Sequence, residues 1–384
     1  MTPDRERSDW VLIGLLYLAG LLAAAQFGKI ALTLPELGAA FGRPIESVAI
    51  LVSLVGVMGL ILGAMAGGVV AAFGPGRSFL AGLVLGGAVS ALLAAMPPFP
   101  AFAALRAVEG LSHLALVVAG PPLMAAAASD RDRPLAMGLW GTFFGTSLAA
   151  SAWAFPRLVD AAGLPGLMAA NGAALLLLAV LLWRRVPRVP RRPLELAPIA
   201  VHRAVYGRLA QVAPGLGFVC YTFLFLAALT FLPDLLGRPP EAASSWSIIT
   251  LGSTLAGGAL CRRVTPWSVV TVGFAGTALG AAGIAAGLPL AAETCFAAMG
   301  LVPGASFAAI AAWNATPQDR ARATGAIAQF GNLGTVTGTP ALAFVSAAGG
   351  LPAFVCVVIA ASILGIALSA WSGRRVEVTA PERG

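Results

Sequence analysis

Residues 184–193 read Arg184-Arg185-Val186-Pro187-Arg188-Val189-Pro190-Arg191-Arg192-Pro193. They open the longest polar stretch of the chain, 184–210, which reads as a Pro/Arg-rich linker between two domains. Six apolar runs precede it, at 10–34, 46–71, 78–96, 101–128, 134–156 and 164–183. Six more follow, at 211–235, 242–262, 265–289, 290–314, 322–345 and 350–371. A bilayer-spanning helix needs about 20 mostly apolar residues, and each run is of that order. The breaks carry turn residues, among them Gly74-Pro75-Gly76, Pro97-Pro98, Asp130-Arg131-Asp132-Arg133-Pro134, Pro239-Pro240 and Thr316-Pro317. The sequence therefore predicts an all-α polytopic membrane protein with twelve transmembrane helices. Residues 1–183 form one six-helix bundle, 184–210 the linker, and 211–384 a second bundle with a short tail.

Composition agrees. The 384 residues are 59% hydrophobic and 10% charged, where a soluble domain carries about 25% charged residues. A soluble domain, a nucleic-acid module and a disordered scaffold are excluded on that ground. Forty-six glycines and 27 prolines suit membrane helices, in which neighbours re-satisfy the backbone and small residues allow close packing. Cys220, Cys261, Cys295 and Cys356 lie inside or at the end of apolar segments with no CxxC or His/Cys spacing. Neither a disulfide framework nor a metal site is expected, and no cofactor is implied.

Lysine and arginine placement sets the orientation. With the N-terminus in the cytoplasm, Arg43, Arg157 and Arg238 fall outside, and Lys29 and Arg106 fall within helices. The other nineteen of the 24 Lys+Arg are then cytoplasmic. The opposite placement reverses that ratio, so both termini are expected in the cytoplasm of a bacterial inner-membrane protein. The net charge of +8 reports topology, not nucleic acid. The first run is too long, with the wrong flanks, for a cleaved signal peptide.

The halves resemble each other. Leu34-Pro35-Glu36-Leu37 matches Leu232-Pro233-Asp234-Leu235, and Ala66-Gly67-Gly68-Val69 matches Ala256-Gly257-Gly258-Ala259. Asp132-Arg133 with Gly138 matches Asp319-Arg320 with Gly325, at an offset of 187. Three marks in one order indicate an internal duplication, and parallel six-helix repeats are an architecture of secondary transporters.

Here the sequence resembles the major facilitator superfamily over essentially its whole length. That family's loop between helices 2 and 3 reads G-x-L-A-D-R-x-G-R-R, and this chain has Gly67-Gly68-Val69-Val70-Ala71-Ala72-Phe73-Gly74-Pro75-Gly76-Arg77. The glycines and Arg77 fit; Ala71 stands at the acidic position, which removes the family's charge-based latch. In helix 4, Arg106-Ala107-Val108-Glu109-Gly110 matches the family's R-x-x-[QE]-G. Gly138, Gly141 and Gly145 in helix 5 loosely follow its glycine-rich packing motif without the Gly-Pro pair associated with antiporters. Within the family the pattern is most similar to the bacterial cyanate/nitroimidazole-type branch. The resemblance implies two bundles rocking around a central cavity lined by helices 1, 4, 7 and 10, in a monomer. Glycine stripes such as Gly63, Gly67 and Gly82, Gly86 are read as close helix packing.

Ionisable groups within spans are costly, about 2.5–3.5 kcal/mol each on insertion scales, and are kept for a purpose. The chain has Lys29 in helix 1, Arg106, Glu109 and His113 in helix 4, and Glu293 near the start of helix 10. Gln26, Lys29 and Thr33 share one helical face, as do Arg106, Glu109 and His113. At 1.5 Å per residue, Lys29 and Arg106 each sit about 8 Å below the outer boundary. In one reading, both cations hold a carboxylate-like anion and Gln26 hydrogen-bonds it. Glu109 then competes for Arg106 and carries the coupled proton, and His113 is a relay or substrate contact. In the other, Arg106–Glu109 is a structural ion pair, His113 bonds a backbone carbonyl and Lys29 snorkels outward. Glu293, the counterpart of Arg106 in the repeat, suits gating at a helix end. The second half offers Tyr221, Phe225 and Phe296, an aromatic wall with Tyr221 as a substrate contact. Trp140, Trp246 and Trp313 read as packing or interface anchors, and Gln329 with Asn332 either touch substrate or join helices.

The expected function is secondary active transport of a small organic anion, coupled to a proton or another ion. No GxxxxGK[ST] motif supports ATP-driven transport. Export of lipophilic compounds is the alternative. An intramembrane enzyme is disfavoured, because the two histidines, His113 and His202, form no ligand cluster. Adjacent Ser112 and His113 point about 100° apart on a helix, which disfavours a nucleophile and base.

Overall fold

The computed structural model describes residues 7–187 and 198–379. Among them every regular element is a helix. In chain order these are α1 (Trp10–Ala31), α2 (Leu34–Phe41), α3 (Ile45–Val48), α4 (Ile50–Phe73), α5 (Pro75–Ala94), α6 (Phe99–Ala127) and α7 (Arg133–Gly141). Then follow α8 (Phe143–Leu182), α9 (Pro198–Tyr206), α10 (Leu209–Leu235), α11 (Ala242–Leu260), α12 (Pro266–Ala285), α13 (Ala291–Trp313) and α14 (Pro317–Thr379). Nine segments among the described residues are long and apolar enough to cross a membrane. Two of them, in α8 and α14, are double crossings that turn at Gly163 (φ 67) and Gly350 (φ 58). α11 adds the last; its serines and threonines lower its hydropathy, but its 19 residues span about 28 Å. The total is twelve crossings, six on each side of α9.

The turns explain themselves locally. Gly163-Leu164-Pro165, Gly287-Leu288-Pro289 and Gly350-Leu351-Pro352 repeat one device, each glycine at positive φ. Glycine takes the left-handed conformation without a Cβ clash. Pro165 and Pro352 lie in the first turn of the following crossing with no N–H to lose, whereas Pro289 precedes α13, which starts at Ala291 after Leu290, itself at φ 58. The first and third are 187 residues apart, the offset already seen for Asp132 and Asp319. Those aspartates are equivalent in three dimensions too. Asp132 accepts from Ser8 Oγ at 2.6 Å and Ser129 Oγ at 3.2 Å; Asp319 accepts from Gln211 Nε2 at 2.8 Å and Thr316 Oγ1 at 2.7 Å. In each half, one carboxylate pins the start of the first crossing to the turn after the fourth.

Beyond shifts of a few residues, three departures from the sequence reading stand out. The first run ends at Ala31, and Leu34-Pro35 starts the separate helix α2, because a proline is best placed in a first helical turn. The fifth breaks at Thr142, between α7 and α8. The linker 184–210 contains α9, while residues 188–197, with most of the Pro/Arg motif, lie outside the described residues.

The two bundles join unevenly. One apolar core runs through both halves, drawing in the first half on residues such as Phe27, Val52, Phe102 and Leu148. These lie toward the face opposite α9. Toward the α9 face the first half has its own core, including Leu16, Phe79, Leu123 and Trp140. The halves meet chiefly where α4 packs on α14 and where α8 packs on α11. On the first seam, Ser53 Oγ donates to Val336 O at 2.6 Å and Gln329 Nε2 to Leu60 O at 3.1 Å. A Cβ on Gly56 would stand 2.7 Å from Val336 Cγ2, and one on Gly59 2.4 Å from Asn332 Nδ2. Gln329 therefore joins the two helices by a hydrogen bond, while Asn332 bonds Ala328 O of its own helix and only packs against Gly59. On the second seam, Ser244 Oγ donates to Ala149 O at 2.8 Å. Gly63, Gly82 and Gly86 pack closely as expected, but Gly67 does not; nothing stands within 4 Å of where its Cβ would be.

Candidate functional site

The charges singled out in helices 1 and 4 converge inside the first half. Lys29, Arg106 and Glu109 are each 0% exposed. Lys29 Nζ donates to Glu109 Oε1 at 2.6 Å, and the Arg106 guanidinium pairs with the other carboxylate oxygen. One carboxylate thus lies between two cations, and the cluster carries a formal charge of +1 away from water. Desolvation makes such a charge costly unless its donors are met, and each of the four charged-group nitrogens has an acceptor. Lys29 Nζ also donates to Ser90 Oγ at 2.6 Å and Asn171 Oδ1 at 3.4 Å. Arg106 donates from Nε to Leu51 O at 3.1 Å and from Nη2 to Gln26 O at 2.8 Å. The ammonium does not snorkel.

Glycines set this geometry. A Cβ on Gly110 would stand 2.5 Å from Val55 O, so α6 lies directly against α4 and Arg106 reaches the Leu51 carbonyl one turn along. A Cβ on Gly172 would stand 2.9 Å from Gly87 O, and this close crossing of α8 and α5 brings Asn171 to Ser90. Neither Ser90 nor Asn171 stood out in the sequence. Each is one polar residue in an apolar run, and only the pairing of α5 with α8 gives them a partner.

The remaining candidates sit nearby or apart. The Gln26 side chain bonds Ser112 Oγ through Nε2 at 3.1 Å, and its buried Oε1 has no partner among the described residues. Ser112 donates instead to Gly82 O at 2.7 Å, while His113 Nδ1 bonds Ala23 O at 2.9 Å. Ser112 and His113 therefore form no nucleophile–base pair. His113 packs edge-on against Phe27, with ring centroids 4.9 Å apart. In the second half, Tyr221 stacks on Phe225 at 5.2 Å, 17° from parallel. Trp246 is buried and stacks on Phe296 at 5.0 Å, a packing role and not an interface anchor. Glu293 pairs with Arg238 at 2.6 Å and accepts from Trp246 Nε1 at 3.3 Å. All three belong to the second half, so Glu293 makes no bond across the seam. A concavity of about 700 Å³, lined by Phe41, Arg43, Phe99 and Pro165 among others, lies at the face opposite α9 and does not reach the cluster. No group of three or more metal-ligating side chains occurs among the described residues.

The comparisons accord with this architecture. The sequence profile of the Major Facilitator Superfamily matches residues 16–313. Two solved structures of a bacterial homolog of the human lysosomal transporter Spinster share the fold. One is inward-facing and unoccupied, with TM-score 0.69; the other is inward-facing and occupied, with TM-score 0.67. Each is 12% identical to this chain, with 96% of both chains covered. No curated protein matches the sequence. The profile covers well over half the chain, and the protein, a multi-pass membrane transporter and not an enzyme, belongs to the Major Facilitator Superfamily.

Proposed function

We propose that the protein moves a small organic anion, carboxylate-like in its charged group, together with a proton. The observation that carries this reading is one carboxylate group placed between two fully buried basic side chains. The empty cluster holds +1. Protonating Glu109 raises it to +2, and a monoanion on the freed guanidinium returns it to +1. Proton and anion together therefore leave the buried charge unchanged, whereas either alone changes it by one unit. Since a net buried charge is costly, a proton alone is disfavoured; an anion alone would neutralise the cluster but finds the guanidinium already held by Glu109, which protonation releases. A substrate carboxylate competes with Glu109 for the guanidinium fork, which suits bidentate carboxylates.

In this reading Gln26 and His113 are polar contacts beside the cluster, and Tyr221, stacked on Phe225, faces the organic body of the substrate. Glu293 acts as a gate by holding Arg238 and Trp246 at one end of the second half. Both termini lie in the cytoplasm of a bacterial inner membrane, residues 1–183 and 211–384 move as the two rocking units, and the monomer suffices. The cyanate/nitroimidazole-type branch is the subfamily we assign on the sequence pattern.

The test is uptake of labelled acetate, lactate and benzoate into proteoliposomes, with and without an inward proton gradient. Gradient-stimulated uptake that disappears in Glu109→Gln is the expected result. Anion uptake indifferent to the gradient would remove the proton from the reading. No uptake of any of these anions by folded wild type, with efflux of a lipophilic dye, would favour the export alternative, for which the aromatic stack Tyr221–Phe225 is the supporting feature.

A further inference from the structure

Lys29 meets acceptors from three helices, and two of them are neutral. Glu109 comes from α6, Ser90 from α5 and Asn171 from α8. Ser90 donates its own proton to Met168 O at 2.9 Å, which leaves its lone pairs for the ammonium. Asn171 is 5% exposed and presents its Oδ1 to Lys29 at 3.4 Å, beside Ser90 Oγ. Arg106 points elsewhere. It grips carbonyls of α1 and α4, the helices of the first half that meet α10 and α14. The two cations are thus divided. Apart from the shared Glu109, Lys29 is held by α5 and by the second crossing of α8, and Arg106 by α1 and α4.

This division matters when Glu109 is protonated. Lys29 then loses its only anionic acceptor, in a site with no water contact. A buried ammonium left short of acceptors is strongly disfavoured. We propose that Asn171, together with Ser90, is the positioning residue that holds Lys29 inside the first bundle while Glu109 carries the proton, so that Arg106 alone meets the substrate's anionic group. The proposal rests on the proton–anion reading above.

The experiment uses the full chain in proteoliposomes, with whichever of acetate, lactate and benzoate the wild type accumulates. Two modes are compared: uptake driven by an inward proton gradient, and exchange of labelled for unlabelled substrate at equal pH. Asn171→Leu keeps the volume and removes the acceptor. It lowers both rates by about tenfold at neutral pH, because both modes pass through the protonated cluster, and acidifying both sides recovers exchange. Asn171→Thr restores an acceptor oxygen and recovers most of the driven rate. Ser90→Ala, a small change, gives the same acid-relieved loss if Asn171→Leu fails to fold. Wild-type gradient-driven uptake in folded Asn171→Leu would overturn the proposal and leave the proton–anion reading standing. Loss of both modes that neither acid pH nor threonine relieves would overturn it as well, reducing Asn171 to a packing residue. No gradient-driven uptake by the wild type would overturn the parent reading and this proposal with it.

Discussion

Removing Lys29 and removing Glu109 break the same 2.6 Å ion pair, yet they should have very different consequences for stability. Glu109→Gln leaves Lys29 and Arg106, both 0% exposed, as two uncompensated cations side by side. Breaking a buried pair in this way costs about 3–5 kcal/mol. Lys29→Met removes one of the two cations and fills its volume. The Arg106–Glu109 pair survives, Ser90 keeps its bond to Met168 O, and Asn171 Oδ1 still faces Ser90. Glu109 loses one donor, about 1–3 kcal/mol, against which stands the desolvation of an ammonium, several kcal/mol. The two effects offset, so Lys29→Met should lie within about 1 kcal/mol of wild type. Thermal unfolding in detergent, followed by tryptophan fluorescence, measures the order. We expect Lys29→Met to melt with the wild type or above it, Glu109→Gln well below both, and neither to transport. If Lys29→Met melts as low as Glu109→Gln, the cluster's charge is balanced by something other than Glu109, and the accounting of +1 is refuted.

Other predictions follow from single contacts. A Cβ on Gly120 would stand 2.1 Å from Trp140 Cη2, so Gly120→Ala should cost about 1–3 kcal/mol by overpacking; Trp140→Leu in the same chain should recover most of the melting temperature. Gln329 accepts from Tyr206 Oη at 2.6 Å while donating to Leu60 O. Gln329→Leu should therefore free α9 and speed tryptic cleavage at Arg203 and Arg208. Burial raises the Tyr206 phenol above its ordinary value. Its contribution is then complete below the ordinary phenol range and lost as pH rises through the raised value, so alkaline buffer should speed that cleavage in wild type but not in Tyr206→Phe. Arg157 and Glu241, 3.6 Å apart, are 50% and 37% exposed. Arg157→Ala should change stability by less than about 1 kcal/mol and leave uptake near wild type.

The fold was legible because a membrane span is a matter of length and hydropathy. The runs at 265–289 and 290–314 became α12 and α13 with boundaries shifted by a few residues. The left-handed glycine before Leu288-Pro289 explains the split between them. The site was legible only in its charged members. Helical spacing placed Lys29 on one face and Arg106 with Glu109 on another at a similar depth, and the structure brings them together. It could not say that this face turns into the first bundle, because that depends on close glycine crossings such as Gly110 on Val55 and Gly172 on Gly87. For the same reason Ser90 and Asn171 passed unnoticed. Gly67 was misread because a small-residue stripe marks where a helix can approach, not whether a partner is there.

The Arg106 contacts also bear on how charge and movement are joined. Its Nε holds Leu51 O, and two residues along α4 Ser53 holds Val336 O of α14. The same stretch of α4 therefore carries a bond to the charged cluster and a bond across the seam. If a substrate anion draws the guanidinium away from Leu51, an unpaired buried carbonyl remains, at a cost of about 1–3 kcal/mol. That cost is relieved when α4 shifts, and a shift there strains the Ser53 bond. Ser53→Ala removes the seam bond without touching the cluster. It should lower the barrier to parting the halves and speed exchange at equal pH, by about tenfold at most for one hydrogen bond, while leaving the substrate concentration at half-maximal rate nearly unchanged. An altered half-saturation with an unaltered rate would mean that Ser53 acts on binding, and the seam would then have no part in carrying the cluster's state to the second half.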